Sequence, residues 1–113
     1  MNNDVVTQQH GDYMVVRLSG EVDLSWSPRV RMAILDALEK HQGVGVELSA
    51  VSYIDSSGIA ALVEGFQNAR KSGRRFALAA VSPAVMAVLE LARLDRVFPI
   101  VPDIDTAIRG DAA

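Results

Sequence analysis

Apolar positions along this chain alternate between two spacings. Short runs rich in Val, Ile and Leu are separated by longer stretches in which apolar residues recur every three to four positions. Residues 4–9 carry a weak strand pattern. Gly11-Asp12 reads as a turn, and Tyr13 to Leu18 as a β-rich strand, so the two runs predict a hairpin. Gly20 to Asp23 is expected to leave the sheet. Ser27-Pro28 has the form of a helix N-cap followed by proline at the first helical position. The helix after it places Val30, Ile34 and Leu38 on one face with Leu35 beside them, and Gly43 closes it. Residues 44–48 form a short strand, and Val51 to Ile54 extends toward a turn at Asp55-Ser56-Ser57-Gly58.

The strongest helical period follows, through Ile59, Leu62, Val63, Phe66 and Ala69 or Arg70, ending at Gly73. Gly65 interrupts it at a cost of about 1 kcal/mol relative to alanine. Either close packing against a neighbouring element or a partner surface accounts for a glycine there. Residues 75–81 read as an apolar central strand. Ser82-Pro83 repeats the cap-and-proline pair before a helix facing inward through Val85, Val88, Leu89 and Ala92. Phe98-Pro99-Ile100 suggests a last short strand. Pro102-Asp103 opens a helix around Ile104 and Ile108, and Gly110 to Ala113 is expected to be loose. The order ββαβαβαβα predicts an α/β fold, a mixed sheet with an N-terminal hairpin and about four helices, built on right-handed crossovers. Residues 1–113 are read as a single domain.

Composition narrows the function classes. Half of the 113 residues are hydrophobic, enough for a core, and the formal charge of −3 argues against a nucleic-acid binder. The basic cluster Arg70, Lys71, Arg74 and Arg75 reads most simply as a solvated helix end with favourable dipole pairing. With no cysteine, disulfides, thiolate chemistry and zinc–thiolate sites are excluded. Met1-Asn2-Asn3-Asp4 lacks the features of a signal peptide, and no run approaches a membrane span, so a cytoplasmic protein is expected.

Candidate chemistry concentrates in Asp55-Ser56-Ser57-Gly58, between a strand and a helix. The first N–H groups of a helix lack internal partners and carry partial positive charge, so a hydroxyl held there is a plausible phosphate acceptor. The simpler reading is an ordinary N-cap. No Gly-x-Ser-x-Gly elbow or phosphate-binding loop occurs. His10 and His41 are remote from Ser56 in sequence, and Glu64 and Asp23 are isolated carboxylates. The chain is therefore read as a non-enzyme, with no cofactor or metal.

Several segments together resemble the STAS family, named for sulfate transporters and anti-sigma-factor antagonists. Leu18-Ser19-Gly20-Glu21-Val22-Asp23 is similar to the family's segment at the end of the second strand. Glu47 through Gly58 is similar to its signature strand and phosphorylation loop, and Val81-Ser82-Pro83-Ala84-Val85 to the opening of its third helix. The resemblance covers about residues 10 to 108. It implies an anti-sigma-factor antagonist in which Ser56 accepts a phosphate. Asp55, Ser57 and Gly58 would shape the loop, with Asp23 at the same end of the sheet. It also implies partner switching. Unphosphorylated protein would bind an anti-sigma factor that is also a serine kinase, releasing a sigma factor, and a phosphatase would reset the switch. The nucleotide would belong to the kinase. One departure stands out: many antagonists have glycine before the leucine that ends the third helix, where this chain has Ala92-Arg93-Leu94. The alternative the resemblance leaves open is a cytoplasmic accessory subunit of a lipid-transporting ABC permease. A third reading, a module binding a small ligand in the loop, finds no glycine-rich cradle or basic pocket there.

Overall fold

The computed structural model describes residues 3–109. Ten elements follow one another: β1 (Asp4–His10), β2 (Tyr13–Val22), α1 (Ser27–Lys40), β3 (Gly43–Ile54), α2 (Ser56–Lys71), β4 (Arg75–Ala79), α3 (Pro83–Leu91), a 3-10 turn (Leu94–Arg96), β5 (Ile100–Val101) and α4 (Ile104–Arg109). The five strands lie in chain order across one sheet. β1 is antiparallel to β2, and every later pair is parallel. The expected α/β fold with an N-terminal hairpin and four helices is therefore observed.

This topology dictates which face each helix covers. Three right-handed crossovers that all step in the same direction put their helices on the same face. Accordingly α1, α2 and α3 bury Ile34, Leu38, Leu62, Val85 and Leu89 against Val16, Leu18, Val44, Val46, Leu48 and Leu78. The strand residues between them point the other way. There Tyr13, Ala77, Ala79 and Val101 pack under Ala107 of α4.

Several boundaries differ from expectation. Gly20 to Val22 does not leave the sheet: Gly20 pairs with Val51 and Val22 with Ile54. β3 is one long strand, because two register shifts against β2 each put an extra residue in β3. Glu47 steadies the first shift, accepting from the N–H (2.8 Å) and hydroxyl (2.7 Å) of Ser49. Those shifts break the alternation that a regular strand would show. Gly43 begins β3 and does not end α1, whose C-cap is His41. The N-cap of α1 is Trp26, without a side-chain cap, and Ser27 is the first helical residue. β4 stops at Ala79 because Ala80 turns to φ +50°. Phe98 belongs to the core, and β5 begins only at Ile100. The segment Gly110 to Ala113 lies outside the described residues.

Gly65 is buried, and a Cβ there would stand 2.6 Å from Ile34 Cγ2 and 3.1 Å from Phe76 Cε2. It is a close-packing glycine of the α1–α2 contact, not a partner surface.

Candidate functional site

The carboxyl ends of β2 and β3 deliver the two loops that carry the candidate residues. Val22 and Ile54 are paired at the end of the parallel ladder, so Asp23 and Asp55 emerge side by side. The Asp55 N–H donates to Val22 O at 3.2 Å and fixes that relation. Asp23 then shapes its own loop. Its carboxylate accepts from the N–H (3.0 Å) and hydroxyl (2.6 Å) of Ser25. Its carbonyl accepts from the N–H groups of Trp26 (3.0 Å) and Ser27 (2.8 Å), which starts α1.

Asp55 is the N-cap of α2. One carboxylate oxygen accepts from Ser57 N–H at 2.9 Å, Gly58 N–H at 3.2 Å and the Ser57 hydroxyl at 2.6 Å. The Leu24 N–H also acts on this carboxylate. The pKa of Asp55 is consequently lowered, chiefly by the Ser57 hydroxyl; desolvation opposes this, and the N–H groups of Gly58, Ser57 and Leu24 add to it. The group that caps α2 thus also ties down the loop after β2. Leu24 escaped the sequence reading because its contribution is a backbone N–H; its place directly after Asp23 was the available signal.

The two serines are in unlike states. Ser57 spends its hydroxyl on Asp55 and is half-buried. Ser56, the first residue of α2, is exposed, and its hydroxyl has no hydrogen-bond partner among the described residues. Gly58 is buried where the loop closes on β2. A Cβ there would stand 2.6 Å from Ile54 Cγ1 and 2.9 Å from both Val22 Cγ1 and Val22 O. The close approach expected of this glycine is therefore to the strands beneath.

Exposed apolar side chains occur on the loop after β2 and on α1. Leu24 is 72% exposed and Met32, on α1, 61%. Ser27, Met32, Ser57 and Ala60 line a cavity of about 340 Å³ between the first turns of α1 and α2. Glu64, at its far end, is paired with Arg31 at 2.7 Å. That partner, and its distance along α2 from Ser56, separate Glu64 from the serine. His10 and His41 lie at the opposite pole, where β1 meets β2 and where β3 begins. Among the described residues no group of three or more His, Cys, Asp or Glu side chains is arranged to hold a metal, and no helix is long and apolar enough to cross a membrane.

The chain as a whole is similar to known proteins. The chain is 30% identical over 102 residues to the anti-sigma F factor antagonist of Paenibacillus polymyxa, across 88% of this chain and 87% of that one. It is 26% identical to the anti-sigma-B factor antagonist of Bacillus subtilis, across 88% and 92%. The crystal structure of an anti-sigma factor antagonist from Mycobacterium paratuberculosis superposes with a TM-score of 0.86 at 27% identity, covering 96% of this chain and 93% of that one. The family model described as the STAS domain matches residues 4–107, and the chain belongs to the STAS family.

Proposed function

We propose that this protein is an anti-sigma-factor antagonist whose partner binding is switched off by phosphorylation of Ser56. The observation that carries the reading is the contrast between the two serines. Ser57 is held by Asp55, whereas Ser56 offers a free, exposed hydroxyl at the start of α2, next in sequence to Ser57, which shares a cavity with the exposed Met32. A partner kinase supplies ATP and reaches Ser56 without opening the fold. A phosphatase reverses the step. The chain is acceptor and binding partner, and carries out no catalysis itself. Cytoplasmic residence follows from those partners. The names of the similar curated proteins favour this reading over that of a permease subunit.

The geometry refines how the phosphate acts. The N–H groups of Ser57 and Gly58 already donate to Asp55. A phosphate on Ser56 therefore sits next to a carboxylate and gains the helix dipole, but those two donors do not neutralise it. Its added charge of about −1.5 to −2 stays directed outward, toward the surface a partner must cover. At an interface such an unpaired charge costs about 2–5 kcal/mol, a weakening of roughly 30- to several-thousand-fold.

The test is a pull-down from host lysate with wild type, Ser56→Ala and Ser56→Asp, read by mass spectrometry. Wild type and the alanine variant should capture a kinase-like anti-sigma factor, and the aspartate variant should not. Equal capture of a transporter subunit by all three would replace this reading with that of a scaffold subunit.

A further inference from the structure

At the amino ends of the parallel strands, opposite Ser56, lies a cavity of about 300 Å³. Arg70, Arg74 and Arg75 line it, over an apolar floor that includes Phe66, Phe76 and Ala77. The cluster reads in the sequence as a solvated helix end. The structure gives it a different character.

None of the three arginines has a carboxylate partner among the described residues; the ion pairs there belong to Arg17, Arg31 and Lys40. Each is nonetheless held in place. The Arg74 guanidinium donates to His41 O. Arg75 donates to Ala107 O at 3.2 Å and lies 5.1 Å over the ring of Tyr13. Arg70 lies 5.8 Å over the ring of Phe66. Carbonyl and ring contacts fix a guanidinium without cancelling its charge, and each fork retains unused donors. Tyr13 does not supply the missing anion: burial, opposed by Arg75, pushes its phenol above the ordinary range, so it is neutral at physiological pH. Three arginines without carboxylate partners among the described residues thus line one apolar cavity in a chain whose net charge is −3.

We propose that this cavity is a binding site for a small amphipathic anion, a single phosphate or carboxylate head joined to an aromatic or apolar body. The head would be held by the guanidinium donors and the body by the phenylalanine floor. A volume of this size suits a compact ligand, at the low end of ordinary small-molecule sites. The site lies roughly 20 Å from Ser56 along the axis of α2, so it stands or falls independently of the phosphorylation reading.

Two-dimensional amide NMR of the intact chain, titrated with 1-naphthyl phosphate, tests the proposal. Saturable shifts are expected at Arg70, Arg75, Phe76, Ala77 and Ala107, with a Kd of about 1 mM or tighter and no comparable response at Ser56 to Gly58. Inorganic phosphate alone and 1-naphthol alone should each bind at least about tenfold more weakly, because each lacks one half of the recognition. Naphthalene-1-carboxylate distinguishes a general anionic head from a phosphate-specific one, and in either case the site stands. Arg70→Glu should weaken 1-naphthyl phosphate by about tenfold or more while leaving the rest of the spectrum in place, since the side chain is exposed and rests only on the Phe66 ring. No saturable shift at the cavity, equal binding of any one half-ligand, or an unchanged Kd in a folded Arg70→Glu protein would overturn it.

Discussion

Asp55 is the residue on which the candidate site turns, because one carboxylate serves two loops. Its lowered pKa means that the folded state favours the ionised carboxylate more than the unfolded chain does. Its stabilising contribution is therefore complete above the unfolded pKa and is lost as pH falls through the folded one. Asp55→Ala should lower the melting temperature by about 4–8 °C at neutral pH, the usual effect of losing an N-cap in a domain of this size. Asp55→Asn keeps a capping oxygen without the charge. It should be less stable than wild type at neutral pH, though more stable than the alanine variant, and the gap to wild type should close on acidification. Calorimetry at a series of pH values checks both. Arg93 makes the opposite prediction. It occupies φ +60°, the left-handed region, where the chain turns from α3 into the 3-10 segment. The departure from glycine seen in the sequence is thus a conformational strain and leaves the fold intact. Arg93→Gly should stabilise the protein by about 0.5–1 kcal/mol in urea denaturation, since a non-glycine residue there costs about 1–2 kcal/mol and glycine loses some of that gain as chain entropy.

Among the elements, the helices were legible in the sequence because a buried helical face repeats its apolar residues without interruption, as Ile59, Leu62 and Ala69 do. Ser82 was legible as a cap for a similar reason: a local pattern has a local cause, and its hydroxyl oxygen does accept from Val85 N–H. What was not visible is that the same hydroxyl donates to Val51 O at 2.7 Å, fastening α3 to β3. Strand ends were illegible where pairing is non-local. Gly20 to Val22 looks like a departure from the sheet because glycine and acidic residues dominate it, yet β3 holds it by ladder bonds that no single segment reveals. The loop sequence singled out Ser56, but only the fold separates its free hydroxyl from the engaged one of Ser57. The α1–α2 contact offers a quantitative check on element packing. Alanine at position 65 gains about 1 kcal/mol of helix propensity but must displace Ile34 and Phe76 at 2.6 and 3.1 Å. Overpacking of this kind costs about 1–3 kcal/mol, so Gly65→Ala should be destabilising on balance, with the loss visible in the denaturation midpoint.

For the whole molecule, the question is whether phosphorylation acts by refolding or by changing a surface. A phosphate on Ser56, as proposed, would stand at an exposed position on a helix whose buried face is already packed and whose N-cap is already satisfied. Nothing beneath Ser56 has to move to admit the charge. Ser56→Asp and the phosphorylated protein should therefore give the same far-UV circular dichroism as wild type, while affinity for the anti-sigma partner falls by about 30-fold or more. Salt then distinguishes two physical origins of that loss. Repulsion between exposed charges is screened over about 10 Å at 0.1 M ionic strength and about 3 Å at 1 M, and would fade as salt rises. A charge stripped of water beneath a partner surface is screened much less. The exposed apolar side chains of Leu24, on the loop next to Asp55, and Met32, which shares a cavity with Ser57, favour the second origin. The ratio of unphosphorylated to phosphorylated affinity should accordingly stay within about threefold across that salt range. A ratio that collapses toward one at high salt would assign the switch to long-range repulsion, and would move the partner's contact surface away from Ser56.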